Sequence, residues 1–351
     1  MDQQKVVISQ HLEQSLSQAL AECTFDRLFV LVDETTEKCC LPTLSSLLSP
    51  LTSHPSIITI PATDQHKTLD SLSHVWSELQ HMGATRHSLM INLGGGMVTD
   101  LGGFAASTFK RGIHYINIPT TLLSMVDASV GGKTGINFGG LKNEIGVFNN
   151  ADCVILDTTF LQTLDQENIL SGYAEMLKHA LISDEKMWTE HILYSPLTSN
   201  LSPLTSMIDQ SVAVKQRIVT EDPTEKGLRK ALNLGHTAGH AFESLALERT
   251  PILHGYAVAY GLVVELYLSC VKTGFPTDKM RQTVQFIKEH YGKMTVTCDD
   301  YPHLLELMHH DKKNEGSSIN FTLLAGIGDL RINQTATEEE IKEALDFYRE
   351  I

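Results

Sequence analysis

A carboxylate and a set of imidazoles occur in the second half of the chain at spacings suited to binding a cation. Glu175, Lys178 and His179 fall within the helical pattern of Ser171–Leu181. Residues three and four apart lie on the same side of a helix, so these three side chains share one face. Glu175 without a partner would more often be a solvated carboxylate, so its significance depends on what other segments bring to it.

Histidines in two later segments are candidate partners. The segment NLGHTAGHAFE places Asn233, His236 and His240 on one predicted helical stripe, and His254 stands at the start of another helical pattern. A carboxylate and imidazoles from separate helices would leave positions on zinc or a similar cation for substrate oxygens. Histidines four residues apart also occur on ordinary helices, and the chain has 16 histidines, so a chance pair is the alternative. Glycines beside His236 and His254 favour ligation because they give close access to an ion.

Three consecutive glycines follow the predicted strand Ser88–Leu93. Gly94, Gly95 and Gly96 lie where a following helix would begin, so backbone N–H groups could approach a pyrophosphate at the positive end of that helix. The spacing is not GxGxxG, and a run of glycines also serves as a tight turn. Asp100, one turn into the helix, favours a dinucleotide because it would provide a polar anchor.

The densest polar chemistry lies between residues 111 and 148. Thr120 and Thr121 follow a strand end, Asp127 lies within a short helical stretch, and pairs of glycines precede Lys133, Lys142 and Asn143. Loops without Cβ atoms bring backbone and ammonium groups close to phosphate or carboxylate oxygens. For any single lysine, a surface position on a glycine-rich loop is the alternative, whereas the group together predicts a binding site.

The secondary-structure elements that position these side chains follow two different patterns along the 351 residues. Short apolar strands alternate with helical segments in the first half, at 27–32, 56–60, 88–93, 115–118 and 153–156. This alternation of strands and helices is typical of a parallel sheet covered on both faces. Long helical patterns then dominate, with one late strand-like run at 319–324. We therefore predict an α/β Rossmann-like parallel-sheet domain over residues 1–165 and a mainly α-helical domain over 166–351.

Composition limits the class of protein. The formal net charge of -15 argues against nucleic acid or an anionic membrane as partner. The six cysteines lack CxxC spacing, and we interpret them as reduced thiols. The N-terminus is polar, and no apolar stretch approaches the roughly 20 residues of a membrane helix. We expect a cytoplasmic protein.

Several long motifs, taken together, resemble those of 3-dehydroquinate synthase. They are GGGMVTDLGGFA, PTTLLSMVDASVGGKTGIN, KNEIG, AEMLKH, LNLGHTAGHAFE and LHGYAVAYG, and the resemblance extends from about Arg27 to Leu324. It implies conversion of 3-deoxy-D-arabino-heptulosonate 7-phosphate to 3-dehydroquinate and phosphate in the shikimate pathway. The implied steps are oxidation at C5 by NAD, β-elimination of phosphate, re-reduction, ring opening and intramolecular aldol closure. A ketone at C5 acidifies the C6–H, so the protein mainly supplies position and charge.

The resemblance also implies roles for individual residues. Glu175, His236 and His254 would bind a zinc or cobalt ion, whereas His240 would face the substrate. The catalytic positions would be Lys133, Asn143, Lys178, Arg229, Asn233 and His240, and further substrate contacts would come from Arg111, Asp127, Lys215 and one of Lys312 or Lys313. The NAD-binding positions would be Asp64, Lys67, Gly94, Gly95, Gly96, Asp100, Thr120, Thr121, Asp127, Lys133, Lys142 and Thr163. A homodimer is implied in the same way.

One segment departs from the family pattern. Where the family usually has GExxK, this chain has Thr63-Asp64-Gln65-His66-Lys67, so the acid is one methylene shorter and the glycine is absent. We interpret this as variation in the adenosine contacts.

Three other functions compete with this reading. They are another sugar-phosphate cyclase, a metal-dependent polyol-phosphate dehydrogenase that would release NADH, and a non-catalytic NAD-binding protein descended from the enzyme. Joint presence of the metal-ligand pattern and the lysines favours the dehydroquinate-forming cyclase.

Overall fold

The chain folds into two compact units, Met1–Asp165 and Gln166–Ile351. The computed structural model describes residues 4–52, 55–139, 141–197, 202–309 and 319–351. The first unit contains a six-stranded parallel sheet, and helices make up most of the second. The predicted fold class is therefore confirmed.

The first unit is built on its parallel sheet. The six strands of this sheet are β1 (Val6–Ile8), β2 (Leu28–Asp33), β3 (Ser56–Ile60), β4 (Leu89–Gly94), β5 (His114–Pro119) and β8 (Cys153–Leu156). β6 (Lys133–Phe138) and β7 (Leu141–Phe148) pair separately with each other. The order across the sheet is β1-β8-β5-β4-β2-β3, and every pairing is parallel. β2 and β4 are buried along their whole length, which explains their continuous apolar sequences.

Five helices accompany this sheet: α1 (Leu12–Glu22), α2 (Glu34–Cys39), α3 (Leu41–Leu48), α4 (Leu69–His81) and α5 (Gly96–Thr108). α5 approaches β4 closely at Gly102, where an added Cβ would lie 2.2 Å from Asn92 Oδ1. The glycine pair in α5 therefore serves helix-to-sheet packing.

The segment between Lys133 and Lys142 is not a glycine-rich loop, and that expectation was wrong. β6 and β7 form an antiparallel hairpin in which Gly135 faces Gly146. A Cβ at Gly146 would lie 2.1 Å from Thr134 O, so this glycine serves close approach of the two strands. The hairpin's aromatic and β-branched residues favour strand structure, although every residue described in β7 is exposed.

Helices dominate the second unit. They are α6 (Gln166–Leu181), α7 (Glu185–Leu193), α8 (Ser202–Glu221), α9 (His236–Leu247), α10 (His254–Thr273), α11 (Thr277–Tyr291), α12 (Tyr301–His309) and α13 (Glu338–Glu350). Two antiparallel strands, β9 (Asn320–Gly326) and β10 (Asp329–Thr335), complete the unit. Only the first of these strands was predicted, because β10 is rich in polar residues.

α10 is the central helix of this unit. It is long and apolar enough to cross a membrane by length and composition, contrary to expectation, but 72% of its apolar window is buried within the fold. That burial is typical of a core helix. α10 lies so close to the start of α9 that a Cβ at Gly261 would be 2.0 Å from Gly235 O and 2.6 Å from Gly239 N.

We expect Gly261→Ala to destabilise the protein. Alanine is the better helix former by about 1 kcal/mol, but here its methyl group meets backbone atoms that cannot rotate away. The free energy of unfolding should fall by about 1–3 kcal/mol, measured by urea denaturation. Gly326→Ala is the matched control, because its Cβ would make an ordinary contact of 3.8 Å with Asp329 Cβ. Equal stability of the two variants would contradict this account of the helix packing.

Candidate active site

A buried carboxylate lies at the centre of the candidate metal site in the second unit. Glu175, on α6, has an exposed fraction of 0% and forms an ion pair with Lys178, one turn along the same helix. Its Oε1 lies 3.3 Å from His236 Nε2 and 3.4 Å from His254 Nε2. One donor atom from each of Glu175, His236 and His254 lies within 4.8 Å of the others, so the three can share a cation.

The electrostatics of this cluster favour positive charge. Burial opposes ionisation of Glu175, but Lys178 and His236 outweigh it and hold the pKa of this carboxyl well below its usual range. Burial likewise opposes protonation of His254, yet the carboxylates of Glu243 and Glu175 outweigh it and raise the pKa of the imidazole to about 10. The two carboxylates thus create a negative potential that a divalent cation would neutralise.

Hydrogen bonds orient both imidazoles for ligation. His236 Nδ1 lies 3.1 Å from Leu234 O, and a carbonyl can only accept, so Nδ1 carries the proton and donates it. His254 Nδ1 lies 3.3 Å from Glu243 Oε2. Each ring therefore directs Nε2 towards Glu175, as metal-binding histidines do when a second residue holds the other nitrogen. The donor set fits zinc or cobalt.

The starts of two helices bring these histidines to α6. His236 is the first residue of α9 and His254 the first of α10. Gly255 lies so close to α6 that a Cβ would be 1.9 Å from Ser171 O. The Gly255 N–H donates to Ser171 Oγ at 3.1 Å, which fixes the start of α10 against the helix that carries Glu175.

His240 belongs to a different group from the one its spacing suggested. Its ring lies 5.3 Å from that of His236 and 6.0 Å from that of His254. The Glu175 donor group comprises His236 and His254, whereas His240 groups with Glu243 and His254. A linear spacing of four residues therefore did not identify the imidazoles that meet Glu175.

Asn233 does not share the helical stripe of His236, so that expectation was wrong. Asn233 ends a 3-10 segment, Leu228–Asn233, and α9 begins only at His236. The physical reason is Gly235, whose φ of 78° interrupts the helical path. Asn233 Nδ2 instead donates to Glu225 Oε1 at 2.9 Å.

Two of the predicted substrate-binding cations are buried in the same unit. Lys215 on α8 is buried, and Arg229 has an exposed fraction of 2%. The loop before Arg229 is held by Asp222, whose carboxylate accepts from the N–H groups of Gly227 at 2.7 Å and Arg229 at 3.0 Å. Burial opposes ionisation of Asp222, but these backbone donors outweigh it and lower its pKa. Lys312 and Lys313 lie outside the described residues.

The glycine run of the first unit lies at the carboxyl edge of the parallel sheet. β4 ends at Gly94, Gly95 precedes α5, and α5 begins at Gly96. Thr120 and Thr121 follow the neighbouring strand β5. Carboxyl ends of adjacent parallel strands and the start of a helix are where α/β sheets bind phosphate groups. The glycines also have packing roles, because a Cβ at Gly94 would lie 2.5 Å from Val98 Cγ2.

Lys67 connects a candidate cofactor residue, Asp100, to a candidate catalytic residue, Asn143. Its exposed fraction is 3%, and its Nζ donates to Asp100 Oδ2 and Asn143 Oδ1, both at 2.5 Å. Burial raises the pKa of Asp100, and the charge of Lys67 opposes that rise. Lys142 Nζ lies 3.3 Å from Asp64 Oδ2. The β6–β7 hairpin is thereby tied to the segment that departs from the family pattern.

Four other predicted residues lie on different elements of the first unit. Asp127 lies in a π-helical turn, Ser124–Ala128, and the exposed Lys133 begins β6. Thr163 is exposed and donates to Phe160 O at 2.7 Å. Arg111 is exposed and precedes β5, whereas Thr120 follows it, so a six-residue strand of about 20 Å separates them. Within this unit the structure does not bring Arg111 to the threonines.

Four acidic residues with clear structural roles were missed from the sequence: Asp222, Glu225, Glu243 and Glu265. Glu265 offered a signal, because it is a carboxylate inside the apolar run of α10, and fully buried glutamates are rare unless they have a partner. Glu243 also offered one, because it lies in the histidine motif. Asp222 and Glu225 lie in a polar loop, where spacing carries little information.

Family models and known relatives match this chain over its length. The model of the 3-dehydroquinate synthase N-terminal part matches residues 57–171, and that of the C-terminal part matches residues 172–314. A 3-dehydroquinate synthase from Parabacteroides distasonis is 55% identical over 351 residues, covering 100% of this chain and 99% of the relative. One from Pyrococcus furiosus is 40% identical over 292 residues, or 83% of this chain and 84% of the relative.

Solved structures with the same fold include two cyclases. A 2-deoxy-scyllo-inosose synthase with carbaglucose-6-phosphate, NAD+ and Co2+ has a TM-score of 0.85 at 23% identity, covering 98% of this chain and 96% of that one. A 2-epi-5-epi-valiolone synthase from Streptomyces hygroscopicus subsp. jinggangensis with NAD+ and Zn2+ has a TM-score of 0.85 at 25% identity, covering 99% and 97%.

We expect Glu175→Gln to weaken binding of a divalent cation by more than about 100-fold. The amide removes the charged ligand and leaves Lys178 without its buried counter-charge, and loss of an outer residue alone typically costs about 10–100-fold. Isothermal titration with Co2+ measures the effect. Glu190→Gln, at an exposed glutamate on α7 of the same unit, should bind as the wild type does. Retained affinity in Glu175→Gln would contradict the proposed ligand set.

We expect Lys67→Met to raise the Kd for NAD by at least about tenfold. Methionine preserves much of the apolar volume but leaves Asp100 and Asn143 without their shared donor, and a hydrogen bond to a charged group contributes about 1.5–3 kcal/mol. Fluorescence titration with NADH measures the dinucleotide affinity. Lys38→Met, at an exposed lysine on α2, is the control. Unchanged affinity in Lys67→Met would exclude a role of this contact in nucleotide binding.

Proposed function

The chain belongs to the 3-dehydroquinate synthase family, and we propose from that premise that it converts 3-deoxy-D-arabino-heptulosonate 7-phosphate to 3-dehydroquinate and inorganic phosphate. The reaction is a carbon–oxygen lyase step of the shikimate pathway towards aromatic amino acids. Identity of 55% over the full length to the Parabacteroides distasonis enzyme supports it. The structural observation that carries it is the convergence of one carboxylate and two imidazole donors within 4.8 Å.

NAD and one divalent cation complete the active protein in this proposal. When bound, the cation polarises substrate oxygens, and NAD accepts and returns one hydride, so the reaction has no net oxidation. Related cyclases were solved with NAD+ and with Co2+ or Zn2+, which supports both groups. Glu175, His236 and His254 would hold the cation.

Buried cationic side chains bind the substrate anions. The substrate carries a phosphate and a carboxylate, and ion pairs with such groups strengthen where water is excluded. Arg229 offers a planar fork suited to carboxylate or phosphate, and the Asp222 loop holds its backbone in place. Lys215 is a second buried cation. Lys133, Asn143 and Asn233 supply further donors, and Arg111 is proposed as an additional anion contact.

His240 is the residue we propose for proton transfer or substrate binding. Its ring lies beside both metal-ligand imidazoles, but the donor group around Glu175 does not include it. An imidazole next to the cation can hold a proton close to a substrate oxygen. Lys178, whose charge compensates that of Glu175 within the protein, is proposed as a further catalytic residue.

The first unit binds NAD in this proposal. Gly94, Gly95 and Gly96 present backbone N–H groups at the start of α5, and Thr120 and Thr121 lie after the neighbouring strand. The remaining contacts would come from Asp64, Lys67, Asp100, Asp127, Lys133, Lys142 and Thr163. A homodimer in the cytoplasm, as the family resemblance and the composition suggest, completes the proposal.

Release of inorganic phosphate tests the proposed reaction. Purified protein with NAD and Co2+ should release phosphate from 3-deoxy-D-arabino-heptulosonate 7-phosphate and form 3-dehydroquinate without accumulating NADH. Chelation should abolish release, and restored metal should recover it. Lys133→Ala should lower kcat/KM by at least about tenfold because it removes a charged hydrogen-bond donor.

The controls separate this reaction from its competitors. Lys38→Ala, at an exposed lysine, should retain wild-type activity. Preference for a non-carboxylated heptulose phosphate would assign the protein to another cyclase reaction. Stoichiometric NADH accumulation would indicate a dehydrogenase, and no turnover with NAD and metal supplied would refute catalysis of this reaction.

A further inference from the structure

Glu265 is a buried carboxylate that anchors a neighbouring helix. It lies on α10, within the apolar sequence AVAYGLVVELYL, and its exposed fraction is 0%. Its Oε2 accepts from the Gly235 N–H at 2.6 Å, and its Oε1 accepts from the Ala238 N–H at 3.1 Å. Both donors belong to the start of α9, 27 and 30 residues away in sequence.

These two contacts reproduce a capping box with a side chain from another helix. In a capping box, one side chain accepts from the N–H of the third helical residue and another accepts from the N–H of the residue before the helix. Ala238 is the third residue of α9, and Gly235 precedes its first residue. One carboxylate of α10 thus makes both bonds, and its charge also suits the positive end of the helix dipole.

The chain cannot place this cap locally. Gly235 has φ 78°, a conformation that favours glycine, and an added Cβ would lie 2.9 Å from the Leu262 side chain. The residue before α9 therefore has no side chain with which to cap it. Close packing of α10 against this turn leaves no room for a capping side chain at position 235. The capping carboxylate comes instead from Glu265 of α10.

The candidate metal ligand His236 is one of the two residues between the anchored positions. It follows Gly235 directly and precedes Ala238 by two residues. The other imidazole ligand, His254, begins the helix that carries Glu265. A helix is stiff over the three turns between residues 254 and 265, so an anchor at Glu265 fixes the backbone of His236 relative to His254.

We propose that Glu265 is a positioning residue that sets the separation and orientation of the two imidazole ligands and thereby the affinity for the divalent cation. The inference rests on the metal site of the proposed function. Glu265 is not among the residues whose donor atoms converge with those of Glu175 and the two histidines, and its two oxygens accept from backbone N–H groups.

The experiment compares Co2+ binding by the full-length wild type and by Glu265→Gln. Glutamine has the same shape, but it has an acceptor oxygen at only one of the two positions that the carboxylate oxygens occupy, and its NH2 group then faces the other N–H donor. We expect the Kd for Co2+ to rise by about 10–100-fold, the range for outer residues that orient metal ligands. The visible absorption of protein-bound Co2+ should also change, because it depends on ligand geometry.

Asp184→Ala provides the matched control. Asp184 caps α7 in the same unit by accepting from the Met187 N–H at 2.9 Å, so its loss removes a helix cap elsewhere. This variant should lower the thermal midpoint while leaving Co2+ affinity and spectrum unchanged. Glu265→Asp retains the charge with a shorter reach and serves if the glutamine variant does not fold. It should show a smaller shift in both readouts.

The outcomes separate this inference from the proposed function. Wild-type affinity and spectrum in the folded Glu265 variant, even with reduced thermal stability, would show a cap without a positioning role and overturn the inference alone. Failure of the wild type to bind Co2+ would overturn the metal site itself and the inference with it. Weakened binding and a changed spectrum confined to the Glu265 variants would establish the positioning role.

Discussion

A fully buried carboxylate is the constraint on which the second unit depends. A charged group removed from water is costly unless other groups compensate it, and Glu175 meets Lys178 of its own helix and two imidazoles from others. Three helices must therefore meet at one point. Gly255 and Gly261 permit that meeting, because side chains at these positions would collide with neighbouring backbone. The need to compensate the buried charge of Glu175 thus determines where glycines must occur.

The helices that meet there are also tied by side chains reaching from one to the next. Ser171 of α6 accepts from Gly255 at the start of α10, and Glu265 of α10 accepts from Gly235 ahead of α9. Each of the two histidine-bearing helices is thus held at its first turn by another helix. The first turn of a helix has N–H groups without a partner inside the helix. Here the contacts that satisfy these groups also align the candidate metal ligands.

Sequence patterns predicted the elements whose burial leaves a clear periodicity. Strands covered on both faces have continuous apolar sequences, and the helices around Glu175 have apolar residues at helical spacing. Both patterns can be recognised in the sequence. β7 and β10 escaped prediction because their residues are exposed or only partly buried. The ligand set was implied by family resemblance but not by spacing, since His236 and His240 are close in sequence while His254 is brought in by tertiary packing. The buried salt contact of Lys67 could not be predicted either, because three separate segments create it.

The foreign cap on α9 has a consequence for the order of folding. Short helices are marginal in water by themselves, and the glycine that precedes α9 has no side chain to cap its first turn. The two acceptors of its first turn come from α10, so this turn should form only once α10 has docked. The geometry around His236 is therefore a product of tertiary collapse, and a peptide spanning α9 alone would lack the turn that presents this imidazole.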